Sequence, residues 1–557
     1  MNFPILSVLV FLFAIKACNL QEIFNIMKLL RNLFFFSFLT YSFQIQAQMD
    51  SNLPIVIITT AGAITNTQIQ GSMAIIDNIS GVNSPTDPPT FTGMIGIKLR
   101  GNAAYPKKSY SIETWSAPTI SLDTALLGMP SENDWVLLAN YPDRTFLRAD
   151  LAFYLHDKMG RYAPRMKHCE VIINNTYAGI YNFGEVIKKS TGRLDIAKLT
   201  VNDNFGHNMT GGYIWKIDGN GAGWQSAFTP PYGVAQIVNF EYDYPENSDI
   251  TPAQKAYIKS YVDSFEAEMN AANFQDTING WRKHGAVTSF VDFMIMQELS
   301  RNNEGYRQNN FFYKDKGTKM RPGPLWGFDL AWKNTADCNS SKDTGWVYNL
   351  GGVCPAETKL APFWWNKLST DTLFMKDLRC RYRYFRQAGG VLDTVEIFKY
   401  IDSVKTRLNA DSAVIRNFMQ WPIWGVPVVN EPQPMATDYN TEIANLKQFI
   451  KARLAWLDFK WPQPSNCAPV SVSDRDDIEQ FIAVYPIPAS NQLTIDINDA
   501  RTENYSLLLY NLQGNLIMEQ KNVQQKNSLN VSDIAKGIYF VHIKSDKGSM
   551  VRKVVIE

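Results

Sequence analysis

The sequence predicts an α+β chain with a β-rich N-terminal part, a helical C-terminal part and a small all-β sandwich at the end. Three observations carry that expectation. Short β-branched and aromatic runs separated by turn residues dominate to about residue 217. From Thr251 the apolar spacing takes on a helical period, and after Trp461 the composition breaks.

Taken in order, residues 55–60 form an apolar strand run, and 94–99 with 109–114 frame a hairpin. Residues 169–185 read as two strands joined by Asn174-Asn175, residues that tolerate the left-handed backbone of a tight turn. A further strand covers 212–217. Thr251 caps a helix opened by Pro252, with Tyr257, Ile258, Tyr261, Val262 and Phe265 on one face. Further helices are expected over 145–159, 287–300, 373–387, 391–419 and 442–459. Beyond residue 462 a Pro-, Ser- and Asp-rich stretch, 463–480, reads as a linker. The tail, 481–557, shows short alternating strands at 493–497, 505–510 and 538–543 with turn residues between them, the size of an add-on sandwich.

The first 48 residues stand apart as a signal or targeting segment. From Met27, the expected true start, Lys28 and Arg31 precede an apolar run over 33–43 and a cleavage point before Gln48. The apolar stretch over 1–26 lacks a basic leader and reads as an upstream start or a short anchor. Export permits disulfides. Cys338 with Cys354 is expected to staple the loop after Asp329, Cys380 with Cys467 to tie a helix to the end of the main domain, and Cys169 to remain a buried thiol. No CxxC pair occurs, so no zinc pattern is present. Lys+Arg of 54 against Asp+Glu of 53 leaves a net charge of +1, which excludes a general electrostatic pull toward nucleic acid or anionic membrane.

One segment carries chemistry. Residues 302–332 read NNEGYRQNNFFYKDKGTKMRPGPLWGFDLAW, an acid (Glu304), an amide five residues on (Asn309) and a later acid (Asp329). Phosphoryl transfer asks for a carboxylate near the attacking hydroxyl, an amide for one metal and a second carboxylate between metal and phosphates. With strands before this series and helices after it, the pattern is that of an atypical two-lobed kinase-like fold over 49–462. The bland alternatives are that Asp329 is a solvated loop acid or partners Lys333, and that Asn309 is a turn amide beside Asn310. Asp143 and Arg148 read as surface charge.

The motifs Arg100-Gly101-Asn102, Lys107-Lys108-Ser109-Tyr110, Gly179-Ile180-Tyr181, Gly211-Gly212-Tyr213-Ile214-Trp215-Lys216 and the stretch 298–331 resemble, in order, the CotH family of secreted kinase-like spore-coat proteins, of the kind found in Bacteroidetes. The tail is similar to the C-terminal sorting domain of the type IX secretion system, through Tyr485-Pro486-Ile487-Pro488, Asn511-Leu512-Gln513-Gly514 and Lys536-Gly537-Ile538-Tyr539. The resemblance implies a secreted or surface protein that meets the secretion machinery through its tail and keeps no membrane span when mature. It implies a kinase using ATP and Mg²⁺, Mn²⁺ or Ca²⁺ on Ser or Thr of surface or extracellular proteins. Glu304 would act as base, Asn309 and Asp329 as metal ligands, and Lys108, Glu185 and Lys216 at the nucleotide.

Two departures bear on that expectation. The family usually carries Asp where this chain has Glu304, and Asp directly after the tryptophan matching Trp326, where this chain has Gly327. On a strand, Asp329 would point to the same side as Gly327 and supply the missing ligand. The other expectation is therefore a pseudokinase that serves as a surface-displayed binding or scaffold protein.

Overall fold

The computed structural model describes residues 49–557 except 102–103, 220, 232–236, 355–356, 360, 468–481, 498–504, 524–525 and 546–547. The expected signal segment and most of the expected linker lie outside the described residues. The β-rich part begins with β1 (Ile55–Thr60), β2 (Ile69–Ile76), β3 (Phe91–Arg100), β4 (Ser109–Ala117), β5 (Ile120–Ser121) and β6 (Asp134–Leu138). After helix α1 (Arg148–Lys158) come β7 (Met166–Ile173) and β8 (Thr176–Glu185). Their order is β3-β2-β1-β7-β8-β6-β4-β5, and a further antiparallel pairing of β3 with β4 closes seven strands into a ring. The alternation along each strand explains the closure. Val56 and Ile58, Ile95 and Ile97, Ile112, Trp135 and Leu137, Val171, and Tyr181 and Phe183 all turn into one core. Cys169 is a free thiol buried in that core, as expected.

The predicted hairpins form. Asn174 and Asn175 both hold positive φ, 49° and 61°, in the two-residue turn between β7 and β8, the twist that suits a tight hairpin. A second, antiparallel sheet has the order β10-β11-β9-β12-β13, built from β9 (Tyr213–Ile217), β10 (Gly223–Gln225), β11 (Asn239–Tyr244), β12 (Asn310–Lys314) and β13 (Arg321–Pro322). Against it lie α2 (Pro252–Asn270) and α3 (Val287–Ser300). Thr251 and Gln254 form a reciprocal capping box at the start of α2. On its expected face Ile258, Val262 and Phe265 are buried, and Tyr257 and Tyr261 are partly so.

Helices α4 (Thr372–Arg386), α5 (Thr394–Asn409), α6 (Ala413–Gln420) and α7 (Tyr439–Lys460) follow. The single helix expected over 391–419 is two. Ser412 takes a left-handed conformation, φ 61°, which ends the run and turns α6 so that the Asn417 carboxamide accepts from Ile180 N at 3.0 Å. Both expected disulfides are present, Cys338–Cys354 and Cys380–Cys467, with sequence separations of 16 and 87. Chain-entropy arguments give these closures about 3 and about 5 kcal/mol.

The tail forms two sheets around one hydrophobic core. One holds β14 (Ile482–Tyr485), β15 (Gln492–Ile497) and β18 (Lys526–Asn530); the other holds β16 (Tyr505–Asn511), β17 (Leu516–Val523), β19 (Gly537–Ser545) and β20 (Gly548–Ile556). Among the described residues, no helix is long and apolar enough to cross a membrane.

Candidate active site

Glu304, Asn309 and Asp329 converge, as the spacing suggested, on one cleft of about 240 Å³. It opens where the ends of β3, β4 and β6 meet the segment after α3, with Arg100, Tyr105, Lys107 and Trp326 also on its walls. The loop that presents Glu304 is stitched by amides. Helix α3 ends at Arg301 in the left-handed region, and Asn302 Oδ1 accepts from Glu304 N at 3.1 Å. Asn310 Oδ1 accepts from Tyr306 N at 3.0 Å, while Asn310 Nδ2 donates to Glu304 O at 3.1 Å. Beneath the loop Glu298 is fully buried and accepts from Val347 N, Tyr348 N and the Tyr306 hydroxyl at 2.8–3.0 Å. Arg453 completes this layer with an ion pair to Glu298 at 3.3 Å. The sequence motif therefore reads as a rigid turn whose own side chains satisfy its backbone.

Within the cleft, Asn309 Nδ2 donates to Glu304 Oε2 at 2.7 Å, which leaves the Asn309 carbonyl oxygen as an acceptor. Burial first, and then the Asp329 carboxylate, push Glu304 from 4.5 up to about 7. Asp329 is raised as well, by burial and by the charge of Asp143. Burial, followed by Asp329 and Glu304, also raises the phenol of Tyr105. This is a pocket in which negative charge is unfavourable until something positive enters it.

Gly327 is fitted to Glu304. Its φ is +72°, and a Cβ there would lie 2.7 Å from Glu304 Oε2 and 2.8 Å from Asn309 Cβ. The longer arm of Glu304 thus reaches into the space that a side chain at 327 would enter. Asp329 does not follow the expected strand rule. Residues 323–328 lack regular structure and Asp329 opens a turn, so its direction comes from that turn. The turn is fixed by Asn334, whose Nδ2 donates to Asp329 O at 2.7 Å and to Pro142 O at 3.0 Å.

The nucleotide-site expectations divide. Lys216, on β9, lines a larger adjoining cleft of about 420 Å³ that shares Arg100 and Trp326 with the first. There it pairs with Asp218 at 3.2 Å and lies over the Phe311 ring. Burial pushes Asp243, on the same wall, up to about 6. Glu185 is fully buried but pairs with Arg165, at 2.7 Å, and accepts from Tyr162 at 3.2 Å. Lys108 and Glu185, both expected at the nucleotide, do not meet. Lys108 precedes β4, next to Ser109, while Glu185 lies opposite Trp135, so several residues of strand at about 3.3 Å each separate the two.

The neighbouring Lys107 is the lysine on the wall of the 240 Å³ cleft. It is 2% exposed, with its ammonium on Ile180 O and Asn417 Oδ1 and over the Tyr181 ring. Adjacent lysines look alike in sequence, and only burial tells them apart. Asp143 and Arg148 are not surface charge. They are 1% and 2% exposed, and they form an ion pair at 2.6 Å that anchors the start of α1. The pair was legible only as Asp-x-x-x-x-Arg before a helix, a spacing without a distinct signature.

The oxygen donors of Glu304, Asn309 and Asp329 match a hard divalent cation better than zinc or copper. Among the described residues, no group of three or more His, Cys, Asp or Glu is placed to hold a metal, so Asn309 would be needed to complete a set.

Residues 97–457 match the family model described as CotH kinase protein, and residues 483–557 match the secretion system C-terminal sorting domain. No curated protein matches the chain.

Proposed function

Because the chain belongs to the CotH kinase protein family and ends in a sorting domain that directs it to the cell surface or outside, we propose that it is an exported atypical kinase. It would transfer the terminal phosphoryl of ATP to Ser or Thr of surface or extracellular proteins. The β-rich and helical parts of 49–462 are read as the two lobes of a kinase-like unit, and 481–557 as the separate sorting domain that meets the secretion machinery.

The observation that carries the reading is the convergence of Glu304, Asn309 and Asp329 in one cleft, next to a larger one with Arg100 and Lys216 on its wall. We read the larger cleft as the ATP site, with Lys98, Arg100, Lys189 and Lys216 on its wall for the phosphates, while Lys188 is held by Glu132, Asn133 and Asp134. The acceptor hydroxyl would sit against Glu304. With its proton affinity raised toward neutrality, Glu304 takes that proton as the oxygen bonds to phosphorus, and ADP leaves. Asn309 Oδ1 and the Asp329 carboxylate would hold the divalent ion, which when bound neutralises charge on the phosphates. Stitching by Asn302 and Asn310 keeps Glu304 in position.

Gly327 favours a second reading, a pseudokinase that binds a surface partner without transfer, since it offers no ligand of its own. Incubating the purified chain with labelled ATP, Mg²⁺ or Mn²⁺ and casein separates the two. Label on casein that disappears in Glu304→Gln supports the kinase. Metal-dependent stabilisation by ATP without transfer leaves a nucleotide-binding pseudokinase, and no response to ATP leaves a scaffold.

A further inference from the structure

The walls of the cleft that holds Glu304, Asn309 and Asp329 are of two kinds. Arg100 and Trp326 are shared with the larger cleft read as the ATP site, whereas Tyr105 and Tyr141 line the smaller cleft alone. In phosphoryl transfer the attacking and leaving oxygens lie roughly in line, so a nucleotide on the Arg100 side leaves the acceptor to enter from the side away from it. The residues that flank the acceptor hydroxyl then meet the tyrosines.

That wall is held in place. β6 ends at Leu138, and Asn140 takes a left-handed φ of 49°, which asparagine tolerates, just before Tyr141. The Tyr105 and Tyr141 rings lie 5.6 Å apart at 40°, and Tyr141 meets Trp421 edge-on at 6.0 Å and 87°. Trp421 follows α6 and donates from Nε1 to Ala178 O at 2.8 Å. Arg144 fastens the turn beyond it, donating to Ile423 O and Val426 O at 2.7–3.3 Å. All three rings remain partly exposed. Their inclination makes a corner, which takes an inserted side chain, whereas a sugar ring stacks on one flat open face. Charge narrows the choice further. Among the described lining residues the cations are Arg100, over the Trp326 ring, and Lys107, whose ammonium is taken by Ile180 O and Asn417 Oδ1. The carboxylates of Glu304 and Asp329 act on the Tyr105 phenol, so an acidic flank meets like charge with no free cation to answer it. A divalent ion bound by those carboxylates leaves little for a basic flank. Apolar contact is what the corner offers.

We propose that Tyr105, Tyr141 and Trp421 form the docking corner for the acceptor protein, and that they select Ser or Thr lying next to an aromatic or large aliphatic residue. This rests on the kinase reading above and names the substrate class of the same site.

The test uses the full chain with Mn²⁺, labelled ATP, casein as reference and serine peptides that carry Phe, Leu, Ala or Asp on either side of the serine. The Phe and Leu peptides are expected to exceed the Ala and Asp peptides at least about 10-fold in kcat/KM, a size that burying one such side chain supports. Tyr141→Ser should remove most of that preference through the KM for peptide, Tyr141→Phe should keep it, and both should leave the KM for ATP unchanged. Equal rates for the Phe, Ala and Asp peptides, a preference for Asp, or a preference untouched by Tyr141→Ser would each overturn the assignment. If the parent labels neither casein nor any peptide, the kinase reading fails, and anisotropy of the same peptides carrying a fluorophore tests the corner by itself. Tighter binding of the Phe peptide that Tyr141→Ser weakens then sustains the docking site, and equal binding of the Phe and Asp peptides overturns it.

Discussion

Giving Gly327 a side chain should destabilise the main domain through two separable terms. At φ +72° an alanine pays about 1–2 kcal/mol for the left-handed conformation. Its Cβ would then meet Glu304 Oε2 at 2.7 Å, Asn309 Cβ at 2.8 Å and Asn309 Nδ2 at 2.9 Å. The carboxylate is the end of a long arm and can retreat, whereas Asn309 Cβ is fixed by its backbone, so overpacking adds about 1–3 kcal/mol. Gly327→Ala should therefore cost about 2–5 kcal/mol in total. Glu304→Ala removes the carboxylate contact alone. In the double variant about 1 kcal/mol of the cost should return as coupling, while the backbone term persists. Urea unfolding read by tryptophan fluorescence is the assay, because no tryptophan follows Trp461 and the tail is silent. A Gly327→Ala change within about 0.5 kcal/mol of the parent, or strictly additive single changes, would refute the packing argument. The same clash makes Gly327→Asp a poor way to add a metal ligand, so Gly327→Asp should weaken metal-dependent ATP binding.

Three further outcomes follow from the same geometry. Glu304 holds a proton in the folded chain up to about pH 7 but loses it near 4.5 when unfolded, so stability falls as pH rises through that window and levels above it. The part of the drop due to Glu304 should be about 1–3 kcal/mol after allowing for partial exposure, and the fall should be smaller by that amount in Glu304→Gln; parallel profiles for the two proteins would contradict the assignment. Asp329→Asn should lower phosphate transfer about 100-fold or more, while Lys108→Met leaves it near the parent rate, as measured with labelled ATP. Arg148→Met strips the cation from the buried carboxylates Asp143 and Glu442 and should cost about 3–5 kcal/mol in urea unfolding; a loss below about 1 kcal/mol would show those charges to be solvated.

The features set by local spacing were legible from residues alone. The Thr251 cap, the Asn174-Asn175 turn and the bounds of α3 all follow from neighbours along the chain. The Glu304, Asn309 and Asp329 series was legible for a similar reason, since the β12–β13 hairpin and the turns on either side of it bring the three together. What failed depended on contacts between distant segments. Nothing near Ser412 in sequence requires a break, but the packing of α6 against β8 does. Lys107 is buried by partners far along the chain, Ile180 and Asn417, and Asp143 looks exposed until Arg148 pairs with it in the interior.

The sequence by itself determined the succession of strands, helices and tail and the acid–amide–acid order, because hydrophobic period, turn chemistry and motif spacing are written along the chain. Only the tertiary structure decided the closure of the first sheet through β3 and β4, the fitting of Glu304 over Gly327, and the shift of its proton affinity toward neutrality. Each of these comes from burial beside groups far apart in the chain, and desolvation and steric contact have no counterpart in linear spacing.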